Sequence, residues 1–113
     1  MSYMLPFQLD ALSSKELQKD VIVRLVHGDE LMLNYFELKS ETVNISFHEH
    51  PVEHLVVVLE GEMEFMFEDQ NLLLKKGDGL FVPAKKRHTA RVVQASVKAL
   101  EIYTNLEDKY YKR

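Results

Sequence analysis

His48-Glu49-His50-Pro51-Val52-Glu53-His54, followed by Leu55-Val56-Val57-Val58-Leu59 and Glu60-Gly61, decides how the rest of the chain reads. Three imidazoles fall within one short segment, and positions 48, 50 and 54 share a parity. Side chains of an extended strand alternate between its faces, so all three can point the same way. Neutral imidazole is the commonest protein ligand for divalent transition metals. A fourth histidine, His88, follows Gly77-Asp78-Gly79-Leu80-Phe81-Val82-Pro83. The expectation is a fold that carries His88 to the first three.

Working outward, the texture is that of short strands separated by turns. Residues 21–26 are rich in β-branched side chains, and His27-Gly28-Asp29 signals a turn. Residues 31–38 form a second, largely apolar strand. Residues 43–47 alternate and lead into the histidines. After residues 55–59, Glu60-Gly61 reads as a turn. Residues 62–67 then alternate with Met63, Phe65 and Phe67 on the inner face. Further strands are expected at 72–74, 80–82, 88–93 and 96–103. The total of eight or nine strands indicates an all-β sandwich or closed barrel.

At the N-terminus, Ser13-Ser14-Lys15-Glu16 has the spacing of a helix capping box, which predicts a short helix ending near Asp20. The organisation is therefore an N-terminal arm with a short helix (1–20), one β-barrel domain (21–104) and a charged tail (105–113).

Composition sets the outer bounds. The chain has 113 residues, 46% of them apolar, enough for one packed core. A net charge of −4 does not suggest nucleic acid as a partner. With no cysteine there is neither a disulfide nor a thiolate zinc site nor a cysteine nucleophile. Residues 1–10 lack the pattern of a secretory signal, and the longest apolar run is far too short to span a bilayer. The expectation is a soluble, cytoplasmic protein with no membrane partner.

The spacing of the histidines and glycines resembles that of small single-domain cupins. The first cupin motif is His-x-His, three or four residues, Glu, six residues, Gly. His48, His50 and Gly61 match it, and His54 stands at the Glu position. The second motif is matched by Gly77, Pro83 and His88. Lys85 replaces its second Gly, Thr42 the Gly that opens the first motif, and Val92 the Asn that closes the second. The resemblance covers about residues 21–103. It implies a cupin-type double-stranded β-helix (a jelly-roll barrel) holding one divalent transition metal per chain on His48, His50, His54 and His88. Iron, manganese, nickel, zinc and copper all suit imidazole to some degree.

Four neutral imidazoles would leave the cation its full charge, and so favour an anionic co-ligand or substrate. Taken singly, each histidine is as well explained by a hydrogen-bonded structural role, and His27, beside Gly28, is read that way. Glu49 and Glu53 have the opposite parity from the histidines. They read as solvated groups or groups behind the ligands, although Glu53 could ligate should the chain bulge at Pro51, and it is also a candidate base.

Cupins with three or four histidines include dioxygenases, which implies a metal-dependent dioxygenase acting on a small enolisable or phenolic substrate. The segment from Arg24 to Leu33 also resembles small cupins that ketonise unsaturated uronates. Their acid falls at Glu101 here, and their substrate-binding Arg at Glu107, a charge reversal that only Lys109 or Arg113 could offset. A third reading is a metal- or ligand-binding module without catalysis. Lys85-Lys86-Arg87 either draws an anionic substrate to the mouth or is a solvated loop. Leu55, Val57 and Leu59 should face away from the metal and need a second covering layer, which, with the habit of small cupins, implies a homodimer.

Overall fold

The two longest alternating runs become the two longest strands, and both are bent. In the computed structural model, which describes residues 5–104, a 3-10 turn at Leu9–Ala11 is followed by β1 (Ser14–Gln18), β2 (Val21–His27), β3 (Leu31–Leu38), β4 (Asn44–His48), β5 (His54–Phe67), β6 (Asn71–Lys75), β7 (Gly79–Val82) and β8 (His88–Thr104). All strand pairs are antiparallel. The first half of β8 lies between β4 and the second half of β5. Its second half lies between β3 and the first half of β5. One layer therefore runs β1-β2-β3-β8-β5-β7 and the other β4-β8-β5-β6, with β5 and β8 crossing from one to the other. This is the jelly-roll barrel expected from the strand pattern.

A strand that turns a corner must keep its apolar residues inward, and a one-residue insertion does this. In β5 the buried side chains are His54, Val56 and Val58 before the corner, and Met63, Phe65 and Phe67 after it. Their parity changes across Gly61, where the register with β8 shifts. In β8 the buried set is His88, Ala90 and Val92, then Val97, Ala99 and Tyr103. The two corners touch. A Cβ on Gly61 would lie 2.3 Å from the Ser96 carbonyl oxygen and 2.7 Å from that of Gln94, and Gly61 has φ +79°. Glu60-Gly61 and residues 94–96 are thus corners inside continuous strands, where the sequence suggested turns between separate ones.

The N-terminal helix expected from the capping-box spacing is not formed. Those residues are β1, paired antiparallel with β2 through Ser14↔Arg24 and Glu16↔Ile22. A helix this short is unstable in isolation, and the edge of β2 offers a row of backbone groups that a strand satisfies. The 3-10 turn at Leu9–Ala11 is the helical element among the described residues. The arm holds to the outer face of the barrel. The Tyr35 hydroxyl donates to Asp10 Oδ1 at 3.2 Å, and Arg24 Nε donates to the Leu12 carbonyl at 3.1 Å. The charged tail, 105–113, lies outside the described residues, as do residues 1–4.

Candidate metal centre

Strand ends assemble the site. His48 ends β4, His54 opens β5 and His88 opens β8. His48 and His88 are cross-strand partners, and Phe67 pairs with His88 from the other side. His50 lies in the loop after β4, where its carbonyl accepts a 2.8 Å hydrogen bond from the Lys85 amide and so ties that loop to the one before β8. The Thr89 hydroxyl donates to the Ile45 carbonyl where the β4–β8 register becomes irregular.

All four histidines come together. Ring centroids are 4.3 Å apart for His48–His88, 5.0 Å for His48–His50, 4.6 Å for His50–His54 and 5.9 Å for His54–His88. Donor atoms of His48, His50 and His88 lie within 4.8 Å of one another, and so do those of His50, His54 and Glu101. Nitrogens sharing a metal at about 2.1 Å can be no more than about 4.2 Å apart, so small side-chain rotations would close His48, His50 and His88 on one ion, while His54 shares its group with His50 and Glu101.

The donor chemistry fits a divalent cation. His48 Nδ1 donates to the Ser46 carbonyl at 2.9 Å, and His88 Nδ1 to the Lys86 carbonyl at 2.8 Å. Each bond holds the tautomer that leaves Nε2 as a lone-pair donor. His88 Nε2 and both ring nitrogens of His54 are buried with no hydrogen-bond partner. Buried polar atoms of that kind call for a ligand, and a metal supplies one. Burial, reinforced by the neighbouring imidazoles, lowers the His50 pKa to about 3 and that of His54 to about 4. Burial also lowers that of His88, against the opposing hydrogen bond to the Lys86 carbonyl. All three are therefore neutral near pH 7, the state that ligates metal.

Glu101 stands on β8 behind His54, with Oε2 3.9 Å from His54 Nε2 and a side chain 15% exposed. Desolvation raises its pKa to about 7, while hydrogen bonds from Tyr103 and Asn34 pull the other way. Tyr103 donates to Glu101 Oε1 at 3.4 Å and accepts from Asn34 Nδ2 at 2.7 Å. The Tyr103 ring packs 5.6 Å from His50 and 5.5 Å from His54.

Asn34 stands out in the sequence only as the polar exception in an apolar strand, and neither it nor Tyr103 is given a role there. The available signal was an amide within an otherwise apolar inward face of β3, directly opposite Glu101. Glu53 is exposed in the loop before β5 and belongs to neither donor group. His27 is exposed in its turn, its Nδ1 3.2 Å from the Gly28 carbonyl. Glu107, Lys109 and Arg113 fall outside the described residues.

Two hollows adjoin the centre. A cleft of about 430 Å³ opens on His48, His50, Glu101 and Tyr103. A smaller apolar one of about 70 Å³ lies between Phe36, Met63, Phe65 and His48.

Residues 34–103, more than half of the chain, match the cupin domain family, with both histidine motifs inside the match. The chain belongs to this family. The barrel of this cupin superposes on that of KdgF from a Halomonas species with a TM-score of 0.81, at 17% identity over 92% of this chain and 97% of the other. For the polyketide cyclase RemF from Streptomyces resistomycificus the TM-score is 0.77, at 20% identity over 90% and 80%. For a cupin superfamily protein from Desulfitobacterium hafniense it is 0.70, at 26% identity over 92% of each chain. No curated protein sequence matches. Among the described residues no helix is long and apolar enough to cross a membrane.

Proposed function

We propose that this cupin holds one divalent transition metal on His48, His50, His54 and His88, and catalyses proton transfer on a small enolisable compound. The observation that carries the reading is Glu101. Its carboxyl group is largely buried, is held by Tyr103, stands beside His54 and opens on the same cleft as His48 and His50. A bound cation would supply Lewis-acid stabilisation of negative charge on a substrate oxygen. Glu101 takes the proton from the carbon next to the carbonyl and returns it at another position. Asn34 and Tyr103 keep its oxygens aimed, and the apolar walls exclude water.

Elemental analysis of protein purified without a nickel column, before and after chelator dialysis, tests the centre. Zinc-loaded protein under nitrogen, given a panel of ketones and hydroxyketones in D2O, should exchange the proton next to the carbonyl, followed by NMR. Glu101→Gln should keep the metal and lose exchange by about 100-fold or more. Exchange that survives in Glu101→Gln removes Glu101 from this role.

The dioxygenase reading keeps one specific support. The apolar hollow beside His48 has room for a diatomic gas, and imidazole ligands suit iron and copper as well as zinc. Oxygen uptake that needs iron or copper, with no anaerobic exchange, would decide for it.

We further propose a homodimer. On the outer face, Val26, Leu33, Ile102, Leu55 and Phe81 form one unbroken apolar row across β2, β3, β8, β5 and β7. Leu55 and Phe81 are 45% and 55% exposed, and Leu5 and Phe7 border the row at its β2–β3 end. A second copy would cover this stripe through a two-fold contact. Light scattering on Leu55→Lys/Phe81→Lys should then give half the mass of the parent; an unchanged mass would place the contact elsewhere.

A further inference from the structure

The cleft over the histidines is unevenly built. Its walls are Leu17 from β1, Val21 from β2, Phe36 from β3, and Ile45 and Phe47 from β4. Its chemistry is confined to the floor, where Asn34, Tyr103 and Glu101 meet the imidazoles. Of the remaining polar members, Gln18 already donates to the Asn44 carbonyl at 3.3 Å, and Ser46, on β4, is exposed to solvent and carries no charge. No lysine or arginine among the described residues lines it.

Of the nearby cations, Lys85 is exposed in the loop tied to His50 and is not part of the cleft lining, and three others are engaged elsewhere. Arg24 is on the outer face, 2.6 Å from Glu37. Lys86 is 3.5 Å from Asp69. Arg87 lies over the Phe47 ring at 4.9 Å and, with Lys86 and Glu68, belongs to a separate hollow.

We infer that the site selects an enolisable carbonyl compound with an apolar body and no carboxylate remote from the reacting carbonyl. This rests on the reading above, in which the substrate meets the histidines at the floor of this cleft. A second anionic group would sit without a partner against the buried Val21 and the half-buried Phe36, and a desolvated charge without a partner is disfavoured. A sugar acid would also leave its hydroxyls facing aliphatic carbon. An aromatic or branched body gains about fourfold in affinity for each buried methylene equivalent. The volume suits a small molecule and not a polymer. The inference runs against the uronate chemistry suggested by the segment from Arg24 to Leu33: Arg24 is turned to the outer face, where it meets Glu37, and Glu107, which stands where that resemblance expects the substrate-binding Arg, is an acid.

The test is calorimetric titration of the zinc-loaded full chain with three probes: pentane-2,4-dione, 1-phenylbutane-1,3-dione, and the latter with a carboxylate at the far end of its ring. The phenyl compound should bind at least 10-fold tighter than pentane-2,4-dione, and the added carboxylate should reverse most of that gain. In Phe47→Ser, at a position already 56% exposed and with folding checked by circular dichroism and zinc uptake, the phenyl-over-methyl ratio should fall toward one. Carboxylate binding as tight as phenyl, or a ratio unchanged in Phe47→Ser, overturns the inference while the metal centre stands. Protein that takes up no zinc overturns the centre and this inference with it. Protein that takes up zinc but binds none of the three overturns the placement of the substrate in the cleft.

Discussion

Replacing Gly61 with alanine should damage this barrel far more than the same change at Gly77, although both glycines are left-handed, with φ +79° and φ +89°. A left-handed backbone costs an L-residue about 1–2 kcal/mol, and that cost is common to both. At Gly77 nothing lies within 4 Å of the new Cβ, so it is the whole cost. At Gly61 the Cβ would meet the Ser96 oxygen at 2.3 Å and the Gln94 oxygen at 2.7 Å, both backbone atoms. They can move only if the corner of β8 moves, and such overpacking adds about 1–3 kcal/mol. The gap between the variants should be about 2 kcal/mol, or about 10 °C in Tm for a domain of this size. Urea and thermal unfolding of the metal-free proteins measure it. Because Gly61 sets the phase between His54 and the Met63, Phe65 and Phe67 face, Gly61→Ala should also weaken zinc binding, and Gly77→Ala should not. Equal loss in the two variants would refute the argument that close strand packing, beyond backbone freedom, demands glycine at this corner.

Two other perturbations bear on the site. Metal-free protein should lose stability as the pH falls from about 6.5 toward 4. The unfolded chain takes up protons on His50 and His54 that the folded chain, with pKa values of about 3 and about 4, refuses. Glu101, raised to about 7 by burial, takes up one proton in the folded chain over the same range and offsets one of the two, so with a net excess of about one proton bound in the unfolded state, stability falls with pH at up to about 1.4 kcal/mol per unit; urea midpoints that stay flat between pH 7 and 5 would contradict this. Tyr103→Phe should keep its metal by elemental analysis yet lose about 1–3 kcal/mol of stability, because the Asn34 amide loses its 2.7 Å acceptor inside the barrel. Full stability in that variant would mean that the amide finds another partner.

What the sequence reveals and what it hides divide along physical lines. Histidine parity and the alternation of Met63, Phe65 and Phe67 are local periodicities, and each survives folding because a buried face enforces it. Ser14 to Gln18 is different. Its capping-box spacing is a weak local preference, and the exposed edge of β2, set by residues far along the chain, outweighs it. Gly61 reads equally as a turn or as a bulge, since both use a left-handed glycine. Whether hydrogen bonding resumes on the same strand depends on residues 94–96, which only the fold brings opposite. Asn34, Tyr103 and Glu101 lie on two strands in register, so no motif spacing joins them, although Glu101 could be reached through the family resemblance.

The packed core and the candidate metal centre occupy opposite ends of the barrel, and this shapes how a bound metal would act. Near the corners the core is dry: Val58 and Val97 have no exposed surface. At the other end, β4 and β8 pair irregularly between Ile45 and His48, β1 is an exposed edge, and both ring nitrogens of His54 and the Nε2 of His88 are buried with no hydrogen-bond partner in the protein. Burying them disfavours the metal-free fold at this end more than anywhere else. A cation that binds the folded chain and not the unfolded one stabilises it by about 2.7 kcal/mol at 100 times its dissociation constant. That gain falls on the loop carrying His50 and on the starts of β5 and β8, while the corner at Gly61 is already held by packing. Metal occupancy should therefore slow hydrogen exchange at residues 45–54 and 85–90 while leaving residues 56–65 nearly unchanged. Uniform slowing across the barrel would instead mean that it opens only as one cooperative unit, with no separately soft end for the metal to order.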